Sequence, residues 1–67
     1  MAVRWQRVSG STMINRAGYD PDTETMEIEF SSGQIYTYEA VPISVFNGLI
    51  TASSPGKFYH ANIKDAF

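Results

Sequence analysis

The sequence contains no cysteine and only one histidine. Without cysteine the chain can form no disulfide, no cysteine-based zinc site and no thiol nucleophile. His60 alone cannot build a metal site, so we expect neither a metal nor a cofactor. Positive charge is also scarce, because five Lys and Arg against seven Asp and Glu give a net charge of −2. This balance disfavours a strongly basic nucleic-acid binder and a protein that binds anionic membranes.

Long apolar runs are missing as well. No stretch approaches the roughly 20 apolar residues that span a bilayer, and no apolar segment follows the charged N-terminus as it would in a signal peptide. We therefore expect a cytoplasmic protein without a membrane partner. The chain has 67 residues, of which 43% are hydrophobic and 13% aromatic. This composition predicts one small folded domain with little room for a deep catalytic cleft.

Three segments have the residue pattern of β-strands. Residues 12–19 are predicted to place four side chains on one face: Met13, Asn15, Ala17 and Tyr19. Residues 25–30 alternate, so that the two glutamates face water and three apolar side chains face the core: Met26, Ile28 and Phe30. Residues 35–40 form the third predicted strand. A shorter edge strand is expected around residues 5–8.

The second half of the chain predicts helix. Pro42 suits the first turn of a helix, and an apolar stripe follows it: Val45, Phe46, Leu49 and Ile50. Residues 57–67 are expected to form either a docked extended segment or a second, short helix. The predicted fold class is therefore α+β, with a small antiparallel meander of three to four strands. One main helix packs on one face of this meander, together with a docked C-terminal segment.

The turn at Ser31-Ser32-Gly33 determines which way the next strand faces. A two-residue loop would leave Tyr36 and Tyr38 exposed beside the glutamates of the preceding strand. A three-residue loop with Gly33 in the left-handed conformation would turn both rings toward the core. The apolar face formed by Tyr36, Tyr38 and Ala40 favours the second register. Buried tyrosines would belong to the core, whereas exposed ones could stack nucleic-acid bases.

A series of residues along the chain matches a known pattern: Ser11, Ile14, Gly18-Tyr19-Asp20-Pro21, Glu29-Phe30, Gly33, Tyr36, Tyr38, Val41-Pro42, Ser54, Gly56, Phe58 and Ile63-Lys64. In this order and spacing they resemble the KTSC family. That family is named for the C-terminal domain of some lysyl-tRNA synthetases and includes small stand-alone bacterial and phage proteins. The resemblance implies a single KTSC-like domain over residues 11–67, preceded by an N-terminal arm or edge strand over residues 1–10. It also implies an RNA-binding role.

Five residues are expected to carry the motif and the core of this domain: Gly33, Tyr36, Tyr38, Phe58 and Ile63. We expect no catalytic residues, because His60 lacks a nucleophilic partner and Ser53 and Ser54 lie in no nucleophile elbow. Glu27 and Glu29 have the spacing of a solvated strand face. The sequence therefore predicts a binding module that is not an enzyme.

The C-terminal segment is the candidate for contact with RNA or tRNA. Its cations, amide and rings suit phosphate contact and base stacking, and with Arg16 the candidate residues are Lys57, Tyr59, His60, Asn62 and Lys64. Tyr59 is expected to be exposed, and Arg4, Arg7 and Arg16 could join the lysines in one basic patch. In the alternative interpretation, the polar residues of this segment simply face water while three apolar ones anchor it: Phe58, Ile63 and Phe67.

A protein partner is the competing hypothesis. The acidic residues between Asp20 and Glu29 could meet a basic surface, as in an adaptor or a phage-encoded inhibitor. An unpaired strand edge near Trp5 could recruit a partner strand or a second copy, so a monomer or weak dimer is expected. The candidate contact residues are Trp5, Glu27 and Glu29, although Trp5 is more readily placed as a lid over the core.

Overall fold

A computed structural model describes residues 3–67. The first two residues of the predicted N-terminal arm lie outside the described residues. Within these residues six elements follow one another: strands β1 (Arg4–Arg7), β2 (Ile14–Asp20), β3 (Thr25–Phe30) and β4 (Ile35–Tyr38), then helices α1 (Ile43–Thr51) and α2 (Pro55–Asn62).

The four strands form one antiparallel sheet in the order β1-β2-β3-β4. Each strand pairs with its neighbour in sequence, which makes the sheet a meander with β1 and β4 at its edges. Both helices come after the sheet, and side chains from both pack on the same sheet face, which we call the inner face. The predicted α+β class is confirmed. The C-terminal segment is a helix rather than an extended chain.

The side chains predicted to face the core from β2 do so only in the second half of the strand. Ala17 and Tyr19 are buried on the inner face as expected, but Asn15 is exposed and Ile14 is buried instead. The register between β2 and β3 shifts between Ile14 and Arg16. This β-bulge adds one residue to β2 and reverses the alternation on its N-terminal side.

The β3–β4 hairpin has the three-residue loop favoured by the sequence. The Phe30 N–H donates to the Gln34 carbonyl over 2.9 Å, and Ile28 pairs with Tyr36. Gly33 has a φ of 95°, a conformation that side-chain-bearing residues rarely adopt. Both tyrosines therefore point to the inner face. The strand itself is shorter than predicted, because it ends at Tyr38 and Ala40 turns the chain with a φ of 56°.

A single core lies between the sheet and the helices and contains Val8, Ile14, Ala17, Tyr19, Met26, Ile28, Tyr38, Val41, Phe46, Leu49 and Ile63. Tyr19 of β2 connects the sheet to α1 and to the segment that precedes it. The ring stacks on Phe46 of α1 with centroids 5.3 Å apart, and the buried hydroxyl donates to the Val41 carbonyl over 2.6 Å. The expected anchor Ile63 is fully buried and Phe58 packs against the core, but Phe67 is 43% exposed and anchors little.

Gly48 allows the two helices to approach each other closely. A Cβ atom at this position would lie 2.5 Å from Cζ of Phe58 in α2, well inside van der Waals contact. Glycine normally weakens a helix interior. Here its lack of a side chain makes room for the Phe58 ring and so sets the position of α2.

We predict that Gly48→Ala destabilises the protein although alanine is the better helix former. Alanine improves helix propensity by about 1 kcal/mol, whereas overpacking of a fitted contact costs about 1–3 kcal/mol. Urea denaturation should therefore show a lower free energy of unfolding. The control is Asn47→Ala at the neighbouring exposed position, which should not be destabilising. A Gly48→Ala variant as stable as Asn47→Ala would contradict the packing role.

Candidate functional site

Tyr59 of α2 links the helix to the sheet. Its hydroxyl lies 2.9 Å from the hydroxyl of Tyr38, and its ring meets Phe30 edge to face at 5.4 Å. Burial raises the pKa of Tyr38 above its ordinary value, and the hydrogen bond with Tyr59 adds to the rise. The expectation of an exposed Tyr59 is wrong, since the side chain is half-buried where α2 packs against β3 and β4.

Tyr36 shares the inner face with Tyr38 but does not share its burial. Tyr38 is 9% exposed, whereas Tyr36 is 48% exposed. Tyr36 lies nearer the turn end of edge strand β4 and contacts Phe30 edge to face at 5.4 Å. The expectation of two buried rings is therefore correct for Tyr38 and wrong for Tyr36, because the core covers only one end of β4.

An open groove of about 510 Å³ runs between the β3–β4 turn and the C-terminal end of α2. We call it the aromatic groove. Its main side chains come from the hairpin and from the end of the chain: Phe30, Gln34, Tyr36, Tyr59, His60 and Lys64. Among the described residues, no Asp or Glu lines it. In a chain of net charge −2, the groove is thus a local surface of rings, amide and cation.

Three of the sequence-predicted RNA-contact residues meet in this groove, namely Tyr59, His60 and Lys64. Lys57 and Asn62 are exposed on α2 but do not line it, and the Asn62 amide donates to the Phe58 carbonyl over 3.3 Å. Arg16 does not line the groove either, because it lies on the other side of the sheet.

Arg16 belongs to the opposite, outer face of the sheet. Its guanidinium lies 4.2 Å from the centre of the Trp5 ring, and its Nε donates to Glu29 Oε1 over 2.5 Å. A single patch joining Arg16 to the lysines of the C-terminal segment is therefore not formed. Trp5 is half-buried on this outer face against Gly18, where an added Cβ would lie 3.0 Å from the indole. It is not a lid over the core.

The candidate protein-contact residues all lie on this outer face. Glu27 pairs with Gly18 across β2 and β3, and Glu29 pairs with Arg16. Both carboxylates are partly exposed. The predicted acidic stripe is interrupted, since Arg16 is bonded to Glu29 and Asp20 is only 6% exposed.

Gln34 was not among the predicted contact residues, and Tyr36 was expected to be buried because the face formed by Tyr36, Tyr38 and Ala40 is apolar. Alternation reports which face a side chain occupies but not whether another element covers that face. No signal in the sequence shows where α2 stops covering β4.

Within residues 3–67, no three His, Asp or Glu side chains gather as a metal ion would need. None of the helices described is long and apolar enough to cross a membrane.

Comparison with known proteins shows which family this fold represents. The family model of the KTSC domain matches residues 10–67. The crystal structure of a KTSC domain protein from Yersinia pestis superposes with a TM-score of 0.91 at 38% identity, covering 98% of this chain and 92% of that one. This chain belongs to the KTSC domain family.

Two relatives illustrate how the domain occurs. A protein of Stutzerimonas stutzeri is 43% identical over 54 residues, which are 81% of this chain and 76% of the relative. A lysine–tRNA ligase of Nostoc sp. is 45% identical over 56 residues, covering 84% of this chain and 10% of the ligase. The chain thus spans about a tenth of that enzyme.

The buried phenols predict loss of stability at alkaline pH. Burial raises the pKa of Tyr19, as it does that of Tyr38. A pKa raised above its unfolded value of about 10 gives stability that is complete below that pH and is lost as the pH rises above it. The free energy of unfolding, measured by urea denaturation, should therefore fall above about pH 10.

Tyr38→Phe should make this alkaline decline shallower. The variant should also be less stable by about 1 kcal/mol at neutral pH because it loses the bond to Tyr59. Tyr36→Phe makes the same chemical change at a half-exposed position and serves as the control, which should alter the decline less than Tyr38→Phe. If the free energy of unfolding falls equally steeply with pH in Tyr38→Phe and wild type, the Tyr38 phenol does not contribute to the alkaline loss of stability.

Proposed function

We propose that this KTSC domain is a non-catalytic module that binds single-stranded RNA in the aromatic groove. The observation that carries the proposal is the half-exposed ring of Tyr36, which faces a groove that also contains Lys64 and His60. A large aromatic ring held at the surface beside a cation is the arrangement used to stack bases and contact the adjoining phosphate.

The groove holds Tyr36 in place before any ligand arrives. Phe30 packs against its ring at an interplanar angle of 83°, and its hydroxyl donates to the Gln34 amide oxygen over 3.4 Å. A ring already ordered loses less conformational entropy when a base stacks on it. The Gln34 NH2 group keeps its two donors for a base edge.

Electrostatics alone would give only weak binding. Lys64 is the one lysine or arginine among the described groove residues, and the chain as a whole is negative. Stacking contributes about 1–3 kcal/mol per base and does not need high charge. Affinity should therefore depend chiefly on the rings and only modestly on salt.

The relatives also support RNA as the ligand. Domains similar to this one form a segment of proteins named lysine–tRNA ligase, whose name states an RNA substrate. The segment is a tenth of those enzymes, so binding is proposed for this chain and ligase activity is not. The outer sheet face supports a protein partner less well, because its carboxylates are interleaved with Arg7 and Arg16.

Replacement of Tyr36 tests the stacking surface. Fluorescence anisotropy with a labelled mixed-sequence oligoribonucleotide should show that Tyr36→Ala weakens binding by about tenfold, the effect of one lost stack. Ile35→Ala is the matched control, since Ile35 is also 48% exposed but lies on the outer face. If both variants bind like wild type, or if wild type shows no affinity at low salt, the proposal is wrong.

The two lysines near the C-terminus provide a charge-matched pair. Lys64→Gln should lower the affinity and reduce the salt slope by about 0.7 log units per log of salt, the value of one single-strand phosphate contact. Lys57→Gln removes the same charge outside the groove and should have the smaller effect. Equal effects of the two variants would indicate general electrostatics rather than contact in the groove.

A further inference from the structure

A second cavity, of about 570 Å³, lies at the bulged end of β2 beside edge strand β1. Its polar side chains include both arginines of this end of the sheet and the residues around them: Trp5, Arg7, Ser11, Asn15, Arg16 and Glu29. The aromatic groove shares none of these residues. The two concave surfaces are therefore separate.

The cavity has an excess of positive charge. Arg7 and Arg16 face each other directly across β1 and β2, an arrangement in which like charges repel. Glu29 is the one carboxylate among the described lining residues, and its oxygen is bonded to Nε of Arg16. Within the described part of the chain, Arg7 has no carboxylate within ion-pair distance. An added anion would relieve this repulsion.

Local contacts orient donors in the cavity. The Trp5 ring and Glu29 hold the Arg16 guanidinium from two sides, leaving its terminal NH2 groups for another acceptor. The Ser11 hydroxyl oxygen accepts from the N–H groups of Met13 and Ile14 over 3.0 and 3.1 Å. Its own hydrogen must then point elsewhere and can be donated to a ligand.

We propose that this cavity binds a phosphate group between Arg7 and Arg16. A phosphate offers several acceptor oxygens, so two guanidinium groups and the Ser11 hydroxyl can donate to it together. The phosphate belongs either to a small phosphate ester or to the backbone of a nucleic acid. The proposal does not depend on RNA binding in the aromatic groove.

Titration of the whole chain with inorganic phosphate, followed by NMR at constant ionic strength, tests the site. Phosphate should shift the Trp5 indole N–H and the Arg7 and Arg16 Nε–H resonances in a saturable way. Arg7→Gln should weaken binding by about fivefold, the upper range for one solvent-exposed ion pair. Arg4→Gln is its matched control, with the same charge change on the same strand opposite Tyr19, and should have little effect.

A second pair of variants predicts a change in the other direction. Glu29→Gln removes the competing negative charge while its amide oxygen can still accept from Nε of Arg16, so phosphate binding should strengthen by about threefold, within the range of one exposed ion pair. Glu27→Gln changes the net charge equally but lies outside the cavity, so its effect should be smaller. These changes at partly exposed positions leave the core intact. Absence of saturable shifts, or equal effects within both charge-matched pairs, would overturn the proposal.

Two further probes distinguish the source of the phosphate. Methyl phosphate represents a small ester and dimethyl phosphate represents a nucleic-acid backbone. Preference for methyl phosphate supports a site for small esters, and equal or better binding of dimethyl phosphate supports a backbone contact. If neither probe shifts the Trp5 and arginine resonances, the site does not bind phosphate groups.

Discussion

The register of the β3–β4 hairpin determines on which side of the sheet the two motif tyrosines lie. Gly33 closes the three-residue loop, and Tyr36 and Tyr38 then point toward the helices. A shift of one residue would turn both rings to the outer face and remove the bond between Tyr38 and Tyr59. The docking of α2 and the shape of the aromatic groove both depend on this register.

The close packing of the two helices is a second constraint on where α2 lies. Gly48 lets the Phe58 ring approach α1 closely, so α2 lies where Tyr59 can reach the sheet. The helix covers Tyr38 and leaves Tyr36 half exposed. Core and groove are therefore two ends of one continuous aromatic cluster, in which Phe30 contacts both Tyr36 and Tyr59.

The two faces of the sheet separate the charged groups of this small chain. Lys64 and His60 accompany the aromatic groove on the inner side, whereas Arg7, Arg16 and Glu29 lie around the cavity beside β1. Three of the five lysines and arginines thus lie at two concave surfaces. Each surface can offer cationic contacts although the whole chain carries a net charge of −2.

Local signals in the sequence were sufficient for the fold class, the alternation of β3, the start of α1 near Pro42 and the loop at Gly33, because each depends on backbone preferences and near neighbours. Tertiary structure alone decided the exposure of Tyr36, the burial of Tyr59 and the separation of Arg16 from the lysines. The end of α2 leaves Tyr36 uncovered, and a one-residue bulge exposes Asn15 and buries Ile14 instead. Neither leaves a periodic pattern in the sequence, because both arise from how distant segments pack together.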